Sequence, residues 1–254
     1  MSKNPFSLYN KKFIITGASS GIGRQCAISI SESGGKIALL GRDNTRLEET
    51  LSAMSGDGHI IFPVDLLDYP SVEKTVEQIV KGLGKIDGII NCAGISTTLP
   101  FLYCKPDKLE LFFKTNVFGA INITRLICKK GNFSDEGGSV IFISSVMGSA
   151  GEIGKSIYSM TKGALDAGVR SLAVELAAKR IRVNSISPGV VITPLSKQAV
   201  YSRDEESLNK ITSLHPLGLG QPEDVANACV YLLSDAARWV TGVNLLLDGG
   251  YLAR

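Results

Sequence analysis

Short runs of β-branched and aliphatic residues alternate with helical patterns from one end of this chain to the other. The apolar runs fall near 12–16, 36–41, 59–64, 86–91, 139–144, 181–187 and 243–247, each the length of a strand. Apolar positions at helical spacing occupy 21–33, 43–54, 70–82, 106–130, 156–179 and 222–234. Strand and helix in regular alternation predict an α/β fold: a doubly wound parallel sheet of about seven strands, covered on both faces and joined by right-handed crossovers. No linker, low-complexity tract or internal repeat breaks the alternation, so 1–254 reads as one domain.

Composition narrows the function classes. With 44% hydrophobic and 20% charged residues the chain has the make-up of a globular protein. A net charge of +3 and the lack of a dense Lys/Arg run argue against a nucleic-acid partner. No stretch approaches the roughly 20 apolar residues of a membrane span, and the first ten residues have no signal-peptide core. Cysteines at 26, 92, 104, 128 and 229 are odd in number and show no Cys-x-x-Cys pairing. They read as small buried residues in a reducing, cytoplasmic setting, with no metal site. His59 and His215 stand isolated and read as structural or surface residues.

The first strand runs into Gly17-Ala-Ser-Ser-Gly21-Ile-Gly23 and a helix. Glycines let backbone turn sharply and approach a pyrophosphate, while a helix N-terminus offers free amides. The spacing Gly-x-x-x-Gly-x-Gly differs from the commoner Gly-x-Gly-x-x-Gly, and a purely structural turn is the competing reading. The second strand ends at Gly41 with Arg42 directly after it. An acid at this strand end holds a ribose 2′-hydroxyl, whereas an arginine accommodates a 2′-phosphate. NADP(H) is therefore favoured over NAD(H), with Asp43 read as a helix cap. Asp65 follows the third strand and could accept from an adenine amino group or cap a turn. Asn91-Cys-Ala93-Gly94 follows the fourth; its small residues permit close approach to a ligand, and Asn91 could brace neighbouring strand ends. Asn116 interrupts an apolar helical pattern and needs hydrogen-bond partners there.

The chemistry-bearing stretch is Ser145 to Lys162. Tyr158 and Lys162 are four residues apart at the start of a long helical pattern, which puts phenol and ammonium on one face. A free phenol has a pKa of about 10, and a cation a few ångströms away lowers it toward the working range of a proton-transfer group. Ser145, just after a strand, can add a hydroxyl to the same place.

These motifs occur in one order with Pro188-Gly189-x-x-x-Thr193, Pro222-Glu-Asp-Val-Ala, Val240-Thr-Gly and Asp248-Gly-Gly-Tyr251. From about Lys11 to Tyr251 the chain resembles a short-chain dehydrogenase/reductase, and is similar to the 3-oxoacyl-carrier-protein reductase branch. The resemblance implies a single Rossmann-like domain and hydride transfer between a nicotinamide cofactor and a carbonyl or secondary alcohol. It implies Tyr158 as general acid-base, Ser145 as the hydroxyl on the substrate oxygen, and Lys162 as the cation that tunes Tyr158 and holds the nicotinamide ribose. Asn116 would hold the water of a proton relay. Cofactor contacts would come from Thr16, Gly17, Ser19, Ser20, Gly21, Ile22 and Gly23 in the first turn, and from Arg42, Asp65 and Leu66. Asn91, Ala93, Gly94, Tyr158, Lys162, Pro188, Gly189, Val191 and Thr193 would complete the set, with Ser144 on the cofactor side.

Two departures stand out. Cys92 replaces a more usual asparagine, and Leu217-Gly-Leu-Gly-Gln-Pro222 lacks an arginine common before the Pro-Glu-Asp segment. The segment near 194–217 resembles a substrate lid. Ile95, Ser96, Leu99, Met147, Ile153, Val190 and Leu195 are the pocket candidates, mostly apolar, and suit a small ketone substrate. The overall expectation is an NADPH-dependent ketoreductase, assembled as a homotetramer, with an NAD-linked sugar, polyol or sterol dehydrogenase as the alternative. A dinucleotide-binding sensor or scaffold without turnover is a remote third.

Overall fold

The computed structural model describes residues 4–197 and 204–253. Each apolar run becomes a strand: β1 Lys12–Thr16, β2 Lys36–Gly41, β3 Ile60–Pro63, β4 Gly88–Asn91, β5 Gly138–Ile143, β6 Ile181–Pro188 and β7 Asn244–Leu247. All pair in parallel in one seven-stranded sheet of order β3-β2-β1-β4-β5-β6-β7. The chain steps outward from β1 to β3, then returns to β4 on the other side of β1. Loops leaving β1 and β4 therefore diverge, which opens a crevice at the carboxyl ends of the strands.

The helices are α1 Gly21–Glu32, α2 Asn44–Ser52, α3 Tyr69–Leu83, α4 Pro106–Phe113, α5 Gly119–Ile127, α6 Ser156–Leu176, α7 Pro194–Lys197, α8 Glu205–Ser213 and α9 Pro222–Leu233. Successive strand residues face opposite sides, so β1 sends Ile14 to one core and Phe13 and Ile15 to the other. The first core gathers Val72, Val76 and Ile79 of α3, Ile123 and Leu126 of α5, and Leu165 and Val169 of α6. The second gathers Cys26, Ala27 and Ile30 of α1, Leu47 of α2, and Val225, Cys229 and Leu232 of α9. Burial on both faces is what makes a parallel sheet stable, and it fixes where every strand ends.

Two departures from the sequence pattern have physical reasons. The fourth strand starts at Gly88, because Ile86 pairs instead in an isolated bridge with Phe133. The helical pattern at 106–130 is not one helix. A π-turn at Lys114–Phe118 separates α4 from α5, with the Gly119 amide donating to the Lys114 carbonyl. At its centre Asn116 is tied by its side chain to the chain segment after β4, and a widened turn of this kind often sits at a functional site. The lid segment is described as two short helices, α7 and α8, and residues 198–203 between them lie outside the described residues.

Candidate active site

The carboxyl ends of β1 to β6 open into one cavity of about 810 Å³. At the first turn, Gly17 and Gly21 have φ of +67° and +52°, the left-handed region that glycine enters without strain. A Cβ on Gly23 would lie 2.3 Å from the Gly17 carbonyl oxygen, so only glycine lets α1 pack this closely on its own turn. Asp43, Asp68 and Asp204 cap α2, α3 and α8 through their side chains. α1 differs: the Ser20 side chain makes no cap bond and the first turn carries no acid. Its positive end is left for an anion, beside Gly17, Ser19, Ser20, Gly21 and Ile22 of the cavity wall. This cradle fits the pyrophosphate of a dinucleotide.

At the end of β2, Arg42 lines the cavity together with Arg46, one helical turn later. Asp43 does not compete with them, because its carboxylate accepts the Arg46 amide at 3.1 Å as the α2 cap. Arg46 escaped the sequence reading, although its spacing from Arg42 was a usable signal. Asp65 and Leu66 line the next part of the wall, where one Asp65 oxygen accepts the Leu67 amide at 3.0 Å.

Four of the expected site residues do not line the cavity; they brace it. Thr16 Oγ1 accepts from the amides of Cys92 and Ala93, both at 3.1 Å, which locks the β1 and β4 ends in register. Asn91 donates to Thr124 Oγ1 at 3.0 Å. Gly23 packs against Gly17. Asn116 Oδ1 accepts the Ile95 amide at 2.8 Å, and its Nδ2 donates to the Ile95 carbonyl and to Thr161 Oγ1. Both amide hydrogens of Asn116 are thus in use, so its side chain ties the β4 loop to α6. Ala93 and Gly94, by contrast, form part of the wall.

Ser145, Tyr158 and Lys162 all line the cavity. Ser145 begins a short 3₁₀ turn after β5, and its hydroxyl accepts the Met147 amide, which leaves its own hydrogen to donate. Tyr158 and Lys162 share a face of α6, with the ammonium 5.5 Å from the phenol ring centroid. Lys162 donates to the Ile143 carbonyl at 2.7 Å, which fixes its side chain. Burial pulls its pKa down to about 8, while Cys92 and the Asp166 carboxyl pull it back up. Ser144 donates to the Lys162 carbonyl at 3.3 Å and joins the loop to α6. A hydroxyl, a phenol and a buried ammonium converging on one cavity can bind a carbonyl oxygen and pass it a proton.

Pro188, Gly189, Val191 and Thr193 also line the cavity, with Thr193 against Gly21 of the first turn. His215 holds this loop: it is buried, its Nδ1 pairs with the Ile211 carbonyl, and its Nε2 accepts the Val190 amide at 3.1 Å. Histidine here is a structural brace, as its isolation in sequence predicts. Of the pocket candidates, Ile95, Ser96, Met147, Val190 and Leu195 line the cavity. Leu99 and Ile153 do not, and Ile153 is 92% exposed. Lys155 lines it instead and was missed, because a lysine before a helix reads as an ordinary surface cation.

Residues 17–252 match the sequence model of the enoyl-(acyl carrier protein) reductase family. The chain is 35% identical over 254 residues to an L-rhamnose 1-dehydrogenase (NAD(P)(+)) of Azotobacter vinelandii, covering 96% of this chain and 97% of that protein. It is 33% identical over 245 residues to a 3-oxoacyl-[acyl-carrier-protein] reductase of Homo sapiens, covering 95% and 98%. Among solved structures it resembles a 7α-hydroxysteroid dehydrogenase complexed with NADH and 7-oxo-glycochenodeoxycholic acid, with a TM-score of 0.89 and 29% identity over 97% of this chain and 96% of that one. A glycine-lined, uncapped helix end beside a serine, tyrosine and lysine, in a chain matched almost end to end by reductases and dehydrogenases, identifies a member of the short-chain dehydrogenase/reductase family, an oxidoreductase that interconverts carbonyl and alcohol with a nicotinamide cofactor.

Proposed function

We propose that the protein is an NADPH-dependent ketoreductase in which Tyr158 donates the proton. The observation that carries the cofactor preference is the end of β2, where Arg42 and Arg46 line the cavity, Asp43 caps a helix, and Asp65 at the neighbouring strand end accepts the Leu67 amide on one oxygen. Two guanidinium groups suit a 2′-phosphate, and an acid free to hold a 2′-hydroxyl is what NAD(H) would want. Bound in the cavity, the nicotinamide supplies a hydride to the carbonyl carbon.

The chain's own residues then handle charge and position. Ser145 donates to the carbonyl oxygen and Tyr158 gives it a proton as negative charge develops. Lys162 stabilises the phenolate left behind and would hold the nicotinamide ribose. The Thr16, Asn91 and Asn116 bonds hold the strand ends that set these distances, and the 188–193 loop confines the nicotinamide side. The protein acts in the cytoplasm, in keeping with five cysteines free of disulfides.

The assembly is a homotetramer. Phe118 and Ile121 stand exposed beside Tyr69 on the α3–α5 face, and Val174, Trp239 and Leu246 near α6 and β7. Symmetric pairing would cover both groups.

An NADPH-consumption screen over acyl, sugar, steroid and quinone carbonyls tests the reading, run in parallel with NADH. Turnover of at least one ketone with a preference for NADPH is expected. A preference for NADH at equal concentration would overturn the cofactor assignment, and no turnover of any carbonyl would overturn the ketoreductase reading.

A further inference from the structure

Two lysines are buried among the described residues, Lys155 at 7% and Lys162 at 6% exposure. Both line the cavity. Lys162 is answered by the Ile143 carbonyl. The lysines in ion pairs, Lys11, Lys85, Lys114 and Lys129, are more exposed and meet carboxylates. Lys155 has neither kind of partner: among the described residues its ammonium makes no hydrogen bond and no ion pair. Glu152 supplies a distant attraction, while burial acts against the charge and lowers the lysine's pKa. The stem is packed in the wall while the ammonium keeps access to the cavity, and a largely desolvated cation with no protein partner gains more from a ligand's anion than an exposed lysine does.

The surroundings say what kind of anion. Lys155 is the N-cap of α6 and offers no side-chain cap; the first turn of that helix contains no acid. The helix end thus adds its partial positive charge to that of the lysine. Ser96, Thr97 and Thr98 line the same cavity and supply hydroxyls, with Thr98 against Gly154, the residue before Lys155. Glu152 also lines the cavity without an ion pair to Lys155, and its negative charge disfavours a doubly charged phosphate more than a singly charged, planar carboxylate. The segment is held in place, since the Leu99 amide donates to the Gly154 carbonyl at 2.8 Å and the Ser159 amide to the Lys155 carbonyl at 2.8 Å. That last bond puts Lys155 one helical turn before Tyr158, roughly 5–6 Å away between Cβ atoms. A carboxylate on Lys155 and a carbonyl on Tyr158 are then separated by only a few carbons.

We propose that Lys155 is a specificity-determining residue that binds the carboxylate of a short oxo acid, such as a 3-oxo or 4-oxo acid, whose ketone is presented to Tyr158 and Ser145. The inference rests on the ketoreductase reading and narrows its substrate to an acid.

The test pairs 3-oxobutanoate and 4-oxopentanoate with their methyl esters, which keep the ketone and delete the charge. For the wild type, kcat/KM for the acid should exceed that for its ester by about tenfold or more, the scale of one charge-assisted hydrogen bond. Lys155→Met conserves length and volume and should lower kcat/KM for the acids by about 10–100-fold, mainly through KM, with the esters within about threefold. Lys155→Arg should restore part of the preference for the acid. Binding of 4-oxopentanoate to the NADP⁺ complex, measured by calorimetry, reads the same site without turnover and should weaken at least tenfold in Lys155→Met. Equal binding in the two proteins, or a wild type that uses ester as readily as acid, would overturn the inference. Turnover of the esters alone would leave the ketoreductase reading standing while removing the acid, and tight acid binding without turnover would do the reverse.

Discussion

At the scale of single residues, the site works by placing charges where water would not leave them. Lys162 shows this most directly: burial brings its pKa from 10.5 to about 8. Below pH 8 both folded and unfolded chains hold its proton. Between 8 and 10.5 the unfolded chain holds more, so this residue's contribution to stability rises with pH, by about 3 kcal/mol over the full interval. Chemical denaturation of wild type and Lys162→Met at about pH 7 and pH 9.5 checks it, and the difference should move by about 2 kcal/mol toward the wild type at the higher pH. Parallel behaviour at both would show that the ammonium is not desolvated. Arg42 is the second case. Its charge-assisted hydrogen bonds to a 2′-phosphate are worth roughly 1.5–3 kcal/mol each, so Arg42→Ala should weaken NADPH use by about one to two orders of magnitude. NADH use should change by less than about threefold, and a matched loss with both cofactors would remove the 2′-phosphate assignment.

The elements explain why those residues meet. A parallel sheet ends all its strands on one edge, and the reversal between β1 and β4 leaves the gap into which α1 points. The uncapped α1 gives a test with two opposite signs. Ser20→Asp puts a carboxylate at a helix N-terminus, which should stabilise the free protein by about 0.3–1 kcal/mol. The same carboxylate would stand in the phosphate cradle and weaken dinucleotide binding by at least about tenfold. Thermal melting and cofactor titration on one sample read both; unchanged binding would mean that the phosphates lie elsewhere. Strands and helices were legible in the sequence because each apolar run had to be buried, and burial on both sides left little choice of period. The turn glycines, Ser145, Tyr158 and Lys162 were legible because their spacing is local. What escaped depends on distant partners. Nothing local says that Asn116 will bind the Ile95 backbone and widen α4–α5 into a π-turn, or that His215 will hold Val190 from a segment 25 residues away. Lys155 escaped for the same reason: burial is a property of the packed cavity wall.

As a whole molecule the protein leaves two apolar faces uncovered, with Phe118 at 49%, Val174 at 80% and Trp239 at 95% exposure. Fully burying a large apolar side chain contributes about 1.5–3 kcal/mol, enough for a few such residues per interface to hold subunits together. Sedimentation should give a tetramer at micromolar concentration, and Phe118→Glu should reduce it to dimers, since a charge would be buried at one of two interfaces. A wild-type monomer would contradict the assembly. At every scale the cavity binds the dinucleotide, and the phenol of Tyr158 makes it turn over. Tyr158→Phe keeps the ring and deletes the proton, so it separates the two. NADPH titration by fluorescence, with turnover on any accepted ketone measured beside it, should show cofactor affinity within about threefold of wild type and turnover lower by roughly 10²–10⁴-fold. Near-wild-type turnover in Tyr158→Phe would contradict the account, however well the protein still bound its cofactor.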